Sequence, residues 1–184
     1  SGRDRYDKRH LVPFGEFTPL RFVLAPLVEL FAIPLSDFTA GAAERPLLRT
    51  AGALAGASIC YEDAFGEEVV EALPEAAFLI NVSNDAWFGD SLAPHQHLQI
   101  ARMRAAETER FLLRATNTGV SALIGPRGEL VAVAPQFEQA VLAGTVQPRA
   151  GATPFVRLGN AAVVLIACLM LAGGARLARR AQTH

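Results

Sequence analysis

Short apolar stretches alternate with polar turns along most of the chain, and their spacing predicts an α/β layered domain. The strands are apolar runs that end at turn residues, and the helices are segments in which apolar side chains recur every three to four positions. The predicted elements are strands at 52–59, 76–83, 120–124, 129–133 and 139–146, and helices at 64–73 and about 94–115. The order β, α, β, α, β, β, β excludes a helical bundle or a β-sandwich.

Residues 20–35 are strongly apolar but interrupted by Pro26, Arg21 and Glu29. These interruptions make the segment unsuitable for crossing a bilayer. Two interpretations remain open, namely a core helix, or an amphipathic segment that lies at a membrane surface or forms a lid over a lipid-sized pocket.

The last apolar stretch, residues 158–175, carries no charge and predicts a transmembrane helix. Residues 151–157 would be the linker that leads into it. The tail, residues 176–184, begins with a group of arginines, which places it in the cytoplasm by the positive-inside rule. Everything before the helix would then face the other side, which in a bacterium is the periplasm.

The composition narrows the possible functions. With 184 residues, 51% of them hydrophobic, the chain can build one sizeable core. A formal net charge of −1, without a basic stripe, argues against a nucleic-acid partner. Residues 1–8 show no signal-peptide pattern and begin as if in the middle of a domain, so we expect a fragment of a longer protein.

Cysteines and histidines do not form a metal-binding pattern. Cys60 and Cys168 lie in such different contexts that neither a disulfide framework nor a metal site is expected. His95 and His97 are two positions apart at a helix start, so they point in different directions. The sequence therefore predicts no metal and no cofactor.

Three polar clusters fall in predicted loops and are candidates for chemistry. They are Lys8 with Glu16, Cys60 with Glu62, and residues 84–87. Cys60 ends a short apolar run and opens an acidic turn, which is where a strand delivers a side chain to a site. Taken alone, each cluster also fits a structural role, because a buried free cysteine is commonly inert.

Taken together, the clusters resemble a known family. Residues 6–16, 60–62, 81–89 and 114–119 closely resemble the apolipoprotein N-acyltransferases, membrane members of the nitrilase superfamily. The resemblance extends from about residue 5 to the last helix. It implies that residues 1–150 are the C-terminal part of a nitrilase-like catalytic domain, hence a partial α-β-β-α sandwich followed by one transmembrane helix.

The resemblance also implies roles for individual residues. Cys60 would be the nucleophile, which takes an acyl chain from a phospholipid as a thioester and passes it to the α-amino group of an apolipoprotein's diacylglyceryl cysteine. Lys8 would stabilise the oxyanion together with a backbone N–H that follows Cys60. Residues that would support the site are Glu16, Tyr61 and Glu62, and residues that would shape the acyl pocket are Trp87, Asn84 and Phe88.

The chemistry is consistent with these roles. A cysteine thiol is mostly protonated at neutral pH, so a catalytic cysteine needs a base or a nearby cation, and Lys8 can be that cation. Splitting the transfer into acylation and deacylation lets two bulky lipids use one pocket in turn. The enzyme would act at the lipid bilayer of the bacterial inner membrane, with its catalytic domain in the periplasm.

One feature of the family pattern has no counterpart here. The family's general base is a glutamate well upstream of the lysine, and Asp4 and Asp7 are too close to Lys8 to replace it. The N-terminal membrane helices are also missing, so the N-terminal half of the protein would be a required partner and the chain alone would be inactive. The alternatives are a membrane-tethered amidase or nitrilase that hydrolyses a small C–N substrate, and a non-catalytic membrane-anchored domain.

Overall fold

The computed structural model describes residues 5–17, 38–42, 46–50 and 52–182. The strands are β1 (Leu47–Thr50), β2 (Ala53–Ile59), β3 (Phe78–Ser83), β4 (Leu112–Thr116), β5 (Ala122–Ile124) and β6 (Leu130–Val133). The helices are α1 (Gly66–Val69), α2 (Ala93–Thr108), α3 (Pro154–Leu158) and α4 (Ala161–Gln182). The α/β class predicted from the sequence is therefore confirmed.

The strands form one six-stranded mixed sheet in the order β1-β2-β3-β4-β5-β6. The central pairs β2–β3 and β3–β4 are parallel, and the outer pairs are antiparallel. Because β2, β3 and β4 run in the same direction, their carboxyl ends lie at one edge of the sheet, where α/β proteins commonly bind ligands.

Helices α1 and α2 cover one face of this sheet and enclose the core. The buried cluster combines strand residues such as Leu79 and Leu112 with helix residues such as Val69 and Leu98. Gly56 permits this close packing, because a Cβ atom there would lie 2.7 Å from Leu79 Cδ2 and 2.9 Å from Ala72 Cβ. Gly56 thus lets the 3₁₀ turn Val70–Ala72, which follows α1, approach the strand that leads to Cys60.

The predicted helix over about 94–115 is wrong at its carboxyl end. Helix α2 ends at Thr108, where Glu109 has a left-handed φ of 51°, and β4 follows. The buried Arg110 guanidinium donates hydrogen bonds to the carbonyl oxygens of Ala76 and Gly151. These contacts and the pairing of β4 with β3 outweigh the local helical pattern, which has no helix breaker at this point.

Three other predicted elements also differ. The strand predicted at 139–146 is wrong, because residues 134–153 contain no helix or strand. The helix predicted at 64–73 is reduced to α1 with a 3₁₀ turn on either side. The predicted strand at 120–124 is shorter and begins at Ala122, whereas the strands predicted at 52–59, 76–83 and 129–133 agree with β2, β3 and β6 within two residues.

The C-terminal region is helical but divided. Within the stretch predicted as a linker, Thr153 caps α3, with its Oγ1 accepting a hydrogen bond from the Val156 N–H at 3.2 Å. Gly159, with φ of 54°, then separates α3 from α4, so the second helix begins later than predicted. Among the described residues, no helix is both long and apolar enough to cross a membrane. The span predicted over 158–175 is therefore not confirmed, and the predicted lid at 20–35 lies outside the described residues.

Candidate active site

The parallel strands bring three loops to one edge of the sheet. Cys60 follows β2, Asn84 follows β3 and Asn117 follows β4. The side-chain amide of Asn117 donates to Asn84 Oδ1 at 2.6 Å, and the Asp85 N–H donates to Asn117 Oδ1 at 3.1 Å. The sequence clusters at 60–62 and 84–87 are thus neighbours in the fold.

Cys60 lies at a sharp change of backbone direction. It has a left-handed φ of 54°, which costs about 1–2 kcal/mol for a residue with a Cβ, and it opens the 3₁₀ turn Cys60–Ala64. The Asn81 side-chain amide donates to the Cys60 carbonyl oxygen at 3.4 Å and to Ser58 Oγ at 3.0 Å. Cys60 has a free thiol and is half-buried. A backbone-strained cysteine therefore lies at the end of a central strand.

Glu62 joins the Cys60 turn to the N-terminal loop. The carboxylate is buried and accepts four hydrogen bonds, from Arg9 N at 2.6 Å, His10 N at 3.0 Å, Ile59 N at 2.7 Å and Tyr6 Oη at 2.9 Å. Burial, together with the charge of Glu62, raises the pKa of Tyr6, which keeps the phenol protonated as a donor. One carboxylate therefore holds the residues that follow Lys8 and the residue that precedes Cys60.

Lys8 is paired with Glu16. The ammonium lies 2.6 Å from both carboxylate oxygens, and Glu16 also accepts a hydrogen bond from the Val12 N–H at 2.8 Å. Both side chains line an open pocket of about 550 Å³, together with Leu11 and Phe38. Cys60 is not among the residues that line this pocket.

Three aromatic side chains that follow the central strands are partly or largely exposed. Trp87 is 77% exposed, Phe88 is 43% exposed and Tyr61 is 38% exposed. The Tyr61 ring stands edge-on to Phe65, with centroids 5.0 Å apart. The acyl-pocket residues predicted from the sequence are therefore brought to the same edge as Cys60, on an open surface.

Sequence reasoning missed a buried cluster behind these loops, which we call the charge ring: Asp63, Asp85, His97 and Arg114. His97 Nε2 lies 2.9 Å from Asp63 Oδ1, and Nδ1 lies 3.0 Å from Asp85 Oδ1. On the other side, Arg114 donates to Asp63 Oδ2 at 3.2 Å and to Asp85 Oδ2 at 3.1 Å. The four side chains thus close a ring of alternating charge, with His97 9% exposed and the others 3% or less.

Burial alone would lower the pKa of His97, and so would the nearby charge of Arg114. The hydrogen bonds to Asp63 and Asp85, together with the charge of Asp63, outweigh both and raise the pKa of His97 to about 9. For Asp85, burial raises the pKa, whereas the hydrogen bonds from His97 and Ser83 and the charges of His97 and Arg114 bring it below its ordinary value. The members are distant in sequence, and the one local signal was a charged Arg114 within an apolar run. Within the described part of the chain, no group of three or more His, Cys, Asp or Glu side chains is placed to hold a metal ion.

The chain is similar in sequence to curated bacterial proteins over nearly its whole length. The chain is 58% identical to an apolipoprotein N-acyltransferase of Methylococcus capsulatus over 181 residues, which cover 98% of this chain and 36% of that protein. It is 52% identical to the apolipoprotein N-acyltransferase of Nitrosomonas europaea over 174 residues, covering 94% of this chain and 35% of the relative. The resemblance identified in the sequence is confirmed by these relatives.

The chain spans about a third of the length of the curated relatives it matches. Among solved structures, a branch 10 nitrilase-superfamily protein of Saccharomyces cerevisiae is similar, with a TM-score of 0.48 and 23% identity, over 55% of this chain and 40% of that one. The family model that describes carbon-nitrogen hydrolases matches residues 2–155, and the mixed sheet accordingly has a nitrilase-like α/β fold. The chain therefore belongs to the carbon-nitrogen hydrolase family.

Proposed function

We propose that this chain carries the nucleophile and the oxyanion-stabilising cation of an enzyme that acylates the N-terminus of lipoproteins. The acyl donor would be a phospholipid, and the acceptor would be the α-amino group of an apolipoprotein's diacylglyceryl cysteine. Relatives named apolipoprotein N-acyltransferase, at 58% and 52% identity over nearly the whole chain, support this substrate class.

The observation that carries the proposal is the set of four hydrogen bonds to Glu62. Since Glu62 binds the backbone N–H groups of Arg9 and His10 as well as that of Ile59, it holds the Lys8 loop against the Cys60 turn. Burial of an ionised carboxylate costs free energy unless the oxygens are hydrogen-bonded. The four donors to Glu62 offset that cost. We infer that Glu62 positions Lys8 relative to Cys60.

The reaction would proceed in two steps. The Cys60 thiol gives its proton to the general base and attacks the ester carbonyl of the phospholipid, a C–S bond forms, and the C–O bond breaks as the lysophospholipid alkoxide leaves and takes that proton. The α-amine of the apolipoprotein then attacks the thioester carbonyl, an amide forms, and the C–S bond breaks as the proton lost by the amine restores the thiol. Lys8 would stabilise the oxyanion in both steps, a contribution of about 3 kcal/mol in comparable sites.

The exposed aromatic residues suit an acyl chain. Trp87 and Phe88 follow β3, Tyr61 follows β2, and all three rings are exposed. A fatty acyl chain that covers these rings would bury apolar area on both partners, at about 25 cal/mol per Å². Asn84, hydrogen-bonded to Asn117, would hold the base of the loop of residues 84–90, here called the Trp87 loop, in place.

We also propose that α4 contacts lipid of the bacterial inner membrane, with the catalytic part on the periplasmic side. Between residues 163 and 171, its large apolar side chains are each more than half exposed, and they are Val163, Val164, Leu165, Ile166, Leu169, Met170 and Leu171. A continuous apolar surface of this kind is typical of a site that contacts lipid or another protein.

A chimera tests the nucleophile directly. This chain would replace the matching third of the Methylococcus capsulatus relative, and transfer of a labelled acyl chain from phospholipid to a lipoprotein peptide would be followed. We expect Cys60→Ser to abolish both the thioester and the transfer, and Cys168→Ser to leave both unchanged. Full transfer by the Cys60→Ser chimera would refute the proposal, as would release of free fatty acid in place of peptide acylation.

A further inference from the structure

The charge ring connects the two loops that carry the proposed chemistry. Asp63 belongs to the turn that begins at Cys60, and Asp85 immediately precedes the 3₁₀ turn that contains Trp87. His97 extends from α2 and Arg114 from β4 to bridge these two aspartates. The Cys60 turn and the Trp87 loop are thus joined through buried side chains in addition to the sheet.

The geometry at His97 requires both ring nitrogens to carry protons. Each nitrogen lies within 3.0 Å of a carboxylate oxygen, and a carboxylate oxygen accepts hydrogen bonds but does not donate them when ionised. A neutral imidazole has one N–H, so its second nitrogen would point a lone pair at a negative oxygen. The imidazolium removes this repulsion and also balances two negative charges with two positive ones in a buried site.

We propose that the charge ring, closed by protonated His97, is the device that fixes the Cys60 turn and the Trp87 loop relative to each other. His97 would therefore be a positioning residue for acyl transfer, which it reaches only through Asp63 and Asp85. The inference deepens the proposed function and rests on it for its link to catalysis.

A chain of hydrogen bonds links the charge ring to the nucleophile itself. Arg114 Nη1 donates to Asn81 Oδ1 at 2.5 Å, and the Asn81 amide nitrogen donates to the Cys60 carbonyl oxygen. Because Cys60 holds an unfavourable left-handed conformation, it needs such external support to keep it. At the Trp87 loop, Ser83 Oγ donates to Asp85 Oδ1 at 2.6 Å. This hydrogen bond fixes the carboxylate oxygen that also accepts from His97 Nδ1.

Loss of the His97 proton would open the ring. The groups that face this imidazole are Asp63 from the Cys60 turn, Asp85 from the Trp87 loop and Arg114 from β4. Deprotonation leaves a net negative charge in the ring and turns one hydrogen bond into a repulsive contact. Since the pKa of His97 is raised to about 9, the two loops should be coupled at neutral pH and uncoupled in more alkaline solution.

Two reporters on opposite sides of the ring can test this coupling. In a Cys168→Ser chain, the alkylation rate with iodoacetamide reports on Cys60, and acrylamide quenching reports on Trp87, the single tryptophan. We expect Asp85→Asn to raise the rate of Cys60 alkylation by about three- to tenfold, the factor by which loss of one hydrogen bond shifts an equilibrium. Asp63→Asn should change the quenching of Trp87. His97→Gln should change both, and the exposed neighbour His95→Gln neither.

Trp87 quenching also gives a pH profile that needs no mutation in the charge ring. Trp87 quenching of the Cys168→Ser chain should show a transition near pH 9, and this transition should be absent in His97→Gln. Circular dichroism would verify folding, and if His97→Gln does not fold, the two aspartate variants and the pH profile still decide.

Two results would overturn the inference: aspartate variants that each affect only the reporter on their own side, or a transition near pH 9 that persists in folded His97→Gln. If both reporters respond as expected but the chimera transfers no acyl chain, the proposed function fails and the coupling stands.

Discussion

Glu62 links the Cys60 turn to the N-terminal loop through four hydrogen bonds. Its carboxylate is buried. Oε1 accepts hydrogen bonds from the N-terminal loop, and Oε2 accepts one from that loop and one from the end of β2. The family resemblance predicted a supporting role for Glu62, two residues after Cys60. That role stays a prediction. In the structure, three of the four donors to Glu62 come from residues 6–10, far away in the chain.

Glu62→Gln should lower both the stability of the fold and acyl transfer. The amide NH₂ would face at least one backbone donor where an acceptor is required, leaving buried N–H groups unpaired at a cost of about 1–3 kcal/mol. We expect a lower free energy of unfolding in urea and a loss of acyl transfer in the chimera.

The matched control is Glu71→Gln, which alters an exposed carboxylate paired with Arg9 in the same region. Because exposed ion pairs contribute about 1 kcal/mol or less, this control should cost little. Equal losses for the two variants would contradict the role assigned to Glu62.

At the scale of elements, β2 is the strand that delivers Cys60, and its small residues decide how closely the helices can approach. Gly56 faces Leu79 of β3 and Ala72 of the helical segment after α1. The sequence correctly predicted a strand here from its apolar run, but the need for a glycine follows only from the distance to its neighbours.

Gly56→Ala should destabilise the domain. The new Cβ would lie within 3.0 Å of both Leu79 Cδ2 and Ala72 Cβ, so the 3₁₀ turn after α1 or β3 must shift, at a cost of about 1–3 kcal/mol. Thermal unfolding followed by circular dichroism measures the effect. Gly174→Ala is the control, because a Cβ there meets no neighbour, and alanine favours an exposed helix over glycine by about 1 kcal/mol. A Gly56→Ala protein as stable as the parent would show that the sheet and helices adjust freely.

At the scale of the whole molecule, the charge ring makes stability depend on pH. His97 has a folded pKa of about 9, above its ordinary 6.5, so its contribution is complete below about pH 6.5 and is lost as the pH rises through 9. Asp85 has a lowered pKa, so its contribution is present above its ordinary value and is lost as the pH falls through the folded pKa. The ring should therefore stabilise the fold most in weakly acidic solution.

A comparison of urea unfolding at about pH 6 and about pH 9.5 measures the His97 contribution. A rise in pKa from 6.5 to about 9 corresponds to roughly 3 kcal/mol, and the parent chain should lose up to that amount across the interval. His97→Gln should lose much less, and His95→Gln should behave like the parent. A parent chain whose stability is the same at both pH values would refute a protonated His97.

The sequence by itself determined the α/β class, the strands around Cys60 and the family. Strands β2 and β3 are apolar runs bounded by turn residues, so local pattern alone identifies them. The motifs around Lys8, Cys60 and Trp87 are short and contiguous, so the order of residues is sufficient to reveal the family resemblance.

Only the tertiary structure decided where α2 ends and what surrounds the site. The chain leaves the helix at Glu109 because Arg110 finds buried carbonyl partners and β4 pairs with β3, and no local pattern encodes those contacts. The charge ring escaped detection for the same reason, since residues 63, 85, 97 and 114 come from separate elements. Their hydrogen bonds depend on positions in space, which the order of residues does not state, whereas the strand and motif signals depend on neighbours in the chain.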